Sequence, residues 1–410
     1  MAVAFATPSG CVVGILAPLD GGADAMGDGQ ALDTSASSGV SGGSNSGASS
    51  GGGSNGGSGG SSASGGGSGS GTSSSSGGSS GGSGGGGDAG CSPNLANDPM
   101  NCGRCGHACD TSSCSGGTCT PRTLRAGAGT VSDLRIAGDQ LYWMEGLAGL
   151  YACSLPDCAA VTTIVSGTTL AGYTAAGTTA FVIEGAITGA VVRAYGTDGS
   201  GPKWDVTTSL QGFRGPMDVD GTSVYWTARD SNGSPFFGFL PQDQSPPAGG
   251  ISLVAYLSSF LVQLRVTTVD GNEYAYWTDG ANVIRSDTVS PSTPVTLASG
   301  SGTAGLALDS QYVFWTASGD GAVLRCPASA GDCSAATTIL QGQASPARVA
   351  VDATGISWVN AGNGTVSECT YPDCANPFLL AQGQVSPGEL AMDATHVYWA
   401  TGSNIWRVPR

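Results

Sequence analysis

The chain has 410 residues, with 30 Asp or Glu against 14 Lys or Arg and a formal net charge of −16. An acidic balance of that size argues against nucleic acid and anionic membrane surfaces as partners. No run of 18 apolar residues offers a transmembrane helix.

Residues 1–38 read as a remnant signal or N-terminal segment. Cys11 follows Thr7-Pro8-Ser9-Gly10. A small residue before a Cys near the start suggests a lipoprotein cleavage site, at which Cys11 would carry lipid. Pro8 stands where an aliphatic residue is expected, and Ala2–Ala6 is too short for the apolar core of a signal. An unmodified or cleaved segment is the alternative. Residues 39–87 hold 43 Gly or Ser out of 49 and carry no charge. Such a tract cannot bury a core and reads as a disordered linker with an r.m.s. span of roughly 40 Å. A tether suits a domain that stands off from a surface.

Residues 88–120 form a Cys-rich module with Cys91, Cys102, Cys105, Cys109, Cys114 and Cys119. A segment this small and polar needs cross-links or a metal to hold a shape. Three disulfides of open connectivity are expected. Zinc held by Cys and His107 within Asn101–Cys109 is the alternative.

Residues 121–410 carry a repeat centred on Tyr142-Trp143, Phe181-Val182, Tyr225-Trp226, Tyr276-Trp277, Phe314-Trp315, Ser357-Trp358 and Tyr398-Trp399. The intervals are 39, 44, 51, 38, 43 and 41 residues. A period of about 40–50 residues is the signature of propeller blades of four short strands. In the copy 306–340, for example, β-rich runs begin at Leu306, Tyr312, Ala322 and Thr337, separated by turn residues. We label the runs A to D from the axis outward. The Trp residues are expected between neighbouring blades, with ligand stacking as the alternative. Asp220, Asp309, Asp352 and Asp393 lie six residues before a Trp, and Asp270 lies seven before. They are expected to close the A–B turns, with metal ligation as the alternative.

The last repeat ends on a C strand, Ile405-Trp406-Arg407-Val408, and lacks a D strand. Arg122-Thr123-Leu124-Arg125 is a spare β segment, so residues 121–126 are predicted to close the last blade and remove its open edge. The fold class is therefore all-β, a seven-bladed β-propeller. Six blades is the alternative, because the second repeat lacks its Trp and Ser231–Gly250, with Pro235, Pro241, Pro246 and Pro247, looks irregular.

The pairs Cys153/Cys158, Cys326/Cys333 and Cys369/Cys374 fall in C–D connections. They suit local disulfides and an oxidising compartment. The B–C and D–A loops should share one face, and this register puts Glu145, Glu184, Asp230, Asp279 and Asp320 on or near it, with Arg229, Asn360 and Asn363. The acids are a candidate pocket for a cation such as calcium, with solvated loop residues as the alternative. No other cofactor is expected. Two His are present, His107 in the Cys cluster and His396 on an A–B turn. No nucleophile elbow, phosphate loop or metalloprotease motif occurs, and the chain reads as a non-enzyme.

Tyr276-Trp277-Thr278-Asp279 spells the YWTD signature, with Tyr225-Trp226-Thr227 and Phe314-Trp315-Thr316 as near matches. Ile284-Arg285, Leu324-Arg325 and Trp406-Arg407 match the apolar-then-Arg step that follows. Residues 121–410 thus resemble the YWTD/NHL-type β-propellers, whose best-known YWTD members have six blades. The Cys cluster resembles the repeats of Stig1-like proteins, and its Asn-Cys-Gly-x-Cys-Gly step is similar to that of secreted bacterial proteins that join it to propellers. The resemblance implies a fold and leaves the function open. The resulting expectation is an exported, surface-tethered, monomeric protein of the cell envelope or exterior that recognises a protein or glycan without catalysis. An extracellular hydrolase or lyase acting on polymer, or a structural envelope component without a discrete ligand, are the competing readings.

Overall fold

The computed structural model describes residues 94–410 apart from 128, 147–148, 186–187, 212–214, 230–231, 243–251, 260, 289–292 and 335. Cys11, the 39–87 tract, Cys91 and Asp230 lie outside the described residues. Every regular element among the described residues is a strand, and no helix is long and apolar enough to cross a membrane.

A two-stranded ribbon, β1 (Cys114–Ser115) with β2 (Thr118–Cys119), ends the Cys module, and β3 (Arg122–Ala126) follows. Blade 1 is β4 (Val131–Ala137), β5 (Gln140–Glu145), β6 (Gly149–Ser154) and β7 (Val161–Ser166). Blade 2 is β8 (Leu170–Ala176), β9 (Thr179–Glu184), β10 (Thr188–Gly196) and β11 (Pro202–Gln211). Blade 3 is β12 (Met217–Val219), β13 (Ser223–Arg229), β14 (Pro235–Pro241) and β15 (Ser252–Tyr256). Blade 4 is β16 (Gln263–Val269), β17 (Asn272–Thr278), β18 (Gly280–Asp287) and the first part of β19 (Val295–Leu308). The rest of β19 opens blade 5, which continues with β20 (Tyr312–Ala317), β21 (Ala322–Pro327) and β22 (Thr337–Leu340). Blade 6 is β23 (Pro346–Val351), β24 (Gly355–Asn360), β25 (Thr365–Thr370) and β26 (Ala375–Ala381). Blade 7 is β27 (Leu390–Met392), β28 (His396–Thr401) and β29 (Asn404–Pro409), completed by β3. Arg122 and Ala126 pair with Arg407 and Asn404, so the first and last strands of the ring share one sheet.

The count is seven, and the six-blade alternative falls. Phe181 and Val182 are buried where the other blades put Tyr-Trp, so apolar volume serves without the indole. The proline-rich stretch contains a true C strand. Pro235 and Pro241 sit at its two ends, where a missing N–H removes little from the ladder. The Trp residues of the motif are all at most 2% exposed, filling the space between sheets. Asp220, Asp309, Asp352 and Asp393 each accept the backbone N–H groups two and three residues ahead, which closes the A–B turn. Asp270 and Gly271 make the same corner with φ of 52° and 79°, the left-handed region that Asp and Gly tolerate best.

Disulfides join Cys153–Cys158, Cys326–Cys333 and Cys369–Cys374, and within the module Cys102–Cys114 and Cys109–Cys119. Cys105 is disulfide-bonded as well. The zinc alternative for the module is thereby corrected. The Sγ atoms of Cys102, Cys109 and Cys119 lie within 4.8 Å of one another but are oxidised, and only a thiolate ligates zinc well. The ring nitrogens of His107 face the carbonyl oxygens of Cys102 and Pro409. The module packs on blades 6 and 7: the Arg104 guanidinium lies 3.7 Å above the Phe378 ring, and His396 Nε2 is 2.8 Å from Asp110.

Each blade disulfide loop is held by an Arg from the C strand of the blade before it. Arg285 donates to Ala328 O at 3.0 Å, Arg325 to Pro372 O at 2.7 Å and Arg407 to Asp157 at 3.0 Å. These are the three Arg of the apolar-then-Arg step. They bridge the seams from blade 4 to 5, 5 to 6, and 7 to 1.

Candidate functional site

Four of the acids singled out in the sequence are described, and each is bonded within the ring. Glu145 ends β5 with its side chain 5% exposed, and its Oε1 accepts from Trp143 Nε1 at 3.1 Å and Arg125 Nε at 3.0 Å. Glu184 ends β9, where Arg193 and Tyr195 donate to it. Asp279 accepts from the amides of Ala281 and Asn282 and from Ser259 Oγ; these bonds hold its pKa below the usual value although burial works the other way. Asp320 accepts from Ser301 N. Among the described residues these carboxylates form no group of three with ligand atoms within 4.8 Å of one another. Asn360 and Asn363 bond locally with Thr365.

The ring instead builds a site on its axis. The A strands of all seven blades line a central cavity of about 380 Å³. One layer of it is defined by register, through the residue that pairs with the position before each Trp or its Val182 equivalent. Those residues are Arg135, Thr174, Asp218, Arg265, Ala307, Ala350 and Ala391 in blades 1 to 7. Blades 1 to 4 thus contribute two guanidiniums, a carboxylate and a hydroxyl. Blades 5 to 7 contribute three methyl groups, which leave open space.

A β-bulge between Ser132 and Arg135, with Asp133 at φ 49°, shapes the polar half. It lets Asp133 Oδ1 meet Arg135 Nε at 2.7 Å, while Arg135 also reaches Asp218 Oδ1 at 3.2 Å. Asp218 Oδ2 accepts Val266 N from the next blade at 2.7 Å. Asp218 thus bonds Arg135 and Val266 directly, and it attracts Arg265 without an ion-pair contact. Next to this layer, Arg348 pairs with Glu389 across the seam from blade 6 to 7, at 3.1 Å. Burial opposes the charge of Arg135, yet Asp133 and Asp218 hold its pKa above the ordinary value. Burial raises Asp218 in spite of Arg135 and Arg265. Arg265 is lowered, by burial first and then by the like charge of Arg135. Among the described residues no carboxylate lies within 4.0 Å of it, and its NH1 donates to Leu264 O at 2.8 Å.

The sequence carried a signal for this layer. The residue eight before the Trp or its equivalent reads Arg, Thr, Asp, Ala, Ala, Ala in blades 1, 2, 3, 5, 6 and 7. In blade 4 a longer A–B hairpin moves Arg265 to twelve before.

No family model and no curated protein matches the chain. Among solved structures the chain is similar to virginiamycin B lyase from Staphylococcus aureus, at 12% identity over 71% of this chain and 98% of that one, TM-score 0.50. It is similar to the WD40 β-propeller domain of Doa1, at 12% identity over 70% and 94%, TM-score 0.51. It is also similar to a chain of the mitotic checkpoint complex, at 13% identity over 71% and 94%, TM-score 0.54. At these identities the likeness shows the fold alone, a β-propeller.

Proposed function

We propose that the protein is a non-catalytic recognition propeller of an oxidising extracellular or envelope compartment, binding a protein or glycan partner at the central channel. The observation that carries this reading is the half-open layer: fixed charges from blades 1 to 4 face an alanine wall from blades 5 to 7. Rigid strands that present polar groups beside unfilled space make a preorganised binding site. The disulfides support export, since such bonds persist in oxidising compartments. The YWTD-like repeat, the Stig1-like module and a lipid anchor at Cys11 belong to the same reading.

Similar folds include a lyase as well as WD40 propellers, and the ring admits either role. Against catalysis, His107 lies in the module and His396 at the start of β28, and neither lines the channel. One observation favours acid–base chemistry. Burial and the neighbouring Asp220 push the Glu273 carboxyl up to about 7, with the Tyr225 hydroxyl between the two acids. Asp220, however, also closes its A–B turn. The test is capture of partners by the immobilised, oxidised full chain from envelope and secreted fractions of the producing cell. One saturable partner, competed by soluble protein, is the expected result. No partner, with the protein itself abundant in the envelope, would replace recognition by a structural role.

A further inference from the structure

Arg265 is a permanently charged, partly exposed residue of the channel lining, and among the described residues no carboxylate forms an ion pair with it. Asp218 serves Arg135 and Val266 N, Glu389 serves Arg348, and Asp133 serves Arg135. A guanidinium that lines a channel without a direct ion pair offers its fork to an incoming anion. In the same layer the cavity is lined on its other side by the small side chains of Ala307, Ala350 and Ala391. We propose that the channel binds a small monoanionic carboxylate, its two oxygens on the Arg265 fork and its apolar body against the alanine wall.

Charge favours the monoanion over a dianion. Arg135 takes two carboxylates, Asp133 and Asp218, and Arg348 takes Glu389, which leaves Arg265 over; a carboxylate brings one negative charge there and a phosphate dianion brings two beside Asp218. The planar fork of Arg matches carboxylate geometry with two parallel hydrogen bonds. Ile136, Val219, Leu308, Val351 and Met392 add apolar side chains to a lining that also exposes polar groups, a surface for a short hydrocarbon or aromatic body. The inference rests on the channel being a binding site and is independent of which macromolecule, if any, presents the carboxylate.

The experiment is calorimetric titration of the full, oxidised chain at pH 7 with benzoate, benzamide and inorganic phosphate in parallel. Benzoate is expected to bind saturably at one site, at least tenfold more tightly than either of the others. Arg265→Gln is expected to weaken benzoate at least tenfold. Should that variant misfold, Ala350→Leu fills the open side with every charge in place and is expected to abolish benzoate binding while near-UV circular dichroism stays unchanged. Equal affinity for benzoate and benzamide, tighter binding of phosphate, or full benzoate affinity in either variant would overturn the proposal. A captured partner together with no benzoate binding would sink this inference and leave the recognition reading standing. Benzoate binding with no partner captured would do the reverse.

Discussion

Replacing Arg325 by Met keeps most of the stem that lies along the Tyr312 ring and removes the guanidinium. Arg325 is 12% exposed and donates to Pro372 O at 2.7 Å. A charge-assisted bond of this kind contributes about 1.5–3 kcal/mol when its carbonyl is left unpaired. The cation over the Tyr312 ring, 4.4 Å from its centroid, adds about 0.5 kcal/mol. The ion pair to Asp373 adds less than about 0.5 kcal/mol, because Asp373 is 73% exposed and solvent screens it. R325M should therefore cost about 3 kcal/mol, and Asp373→Asn less than about 0.5 kcal/mol. The assay is urea unfolding of the oxidised chain followed by Trp fluorescence. The same substitution in a Cys369→Ser/Cys374→Ser background should cost at least about 1 kcal/mol less, since residues that share one contact do not add. Equal costs for R325M and D373N, or strict additivity with the Cys pair, would refute the idea that Arg325 acts by holding the disulfide loop of the next blade.

Two carboxyls give opposite pH limbs. Glu273, raised to about 7 from 4.5, contributes stability that is complete below about pH 4.5 and lost as pH rises through 7. Glu273→Gln should flatten that limb in a thermal-midpoint series and leave the acid side unchanged. Asp352, held at about 2 against burial by Arg410 and by the Thr354 and Gly355 amides, contributes stability above about pH 4 that is lost as pH falls toward 2. Asp352→Asn should remove that acid limb in the same series. Phe378→Ala removes the ring beneath Arg104 and should speed proteolysis of the Cys module several-fold while the propeller core resists; equal resistance would show that the module is held by other contacts.

The fold was legible because each blade repeats a large buried residue at a nearly constant interval, so Trp143 through Trp399 mark the sheets without any knowledge of their order in space. The turn Asp residues and the paired Cys were legible for the same reason: both act within a few residues of themselves. The channel was not legible. Each blade gives its polar layer one residue, and the meaning of Arg135 or Ala350 appears only when seven strands are brought around one axis. The acids Glu145 and Glu184 misled in the opposite direction. Both end a B strand, where sequence cannot say whether the side chain points to solvent or folds back, and here they fold back onto Trp143 and Arg125, and onto Arg193 and Tyr195. The distance from Arg265 to its Trp depends on hairpin length, which breaks the interval that the other blades keep.

The Arg-to-loop contacts give the ring a direction and a grammar. Blade 5 carries both halves, with Arg325 to offer and the Cys326–Cys333 loop to receive. Blades 4 and 7 only offer, through Arg285 and Arg407; blades 6 and 1 only receive. In the position where blade 5 has its Arg, blade 6 has Glu368 and blade 1 has Ala152. Blade 5 is therefore the one unit of this set that can be copied in tandem and still satisfy both of its borders. Blades 4 and 6 behave as the opening and closing words of that phrase, and a ring enlarged or shortened by one blade should keep its seams if the change falls at blade 5.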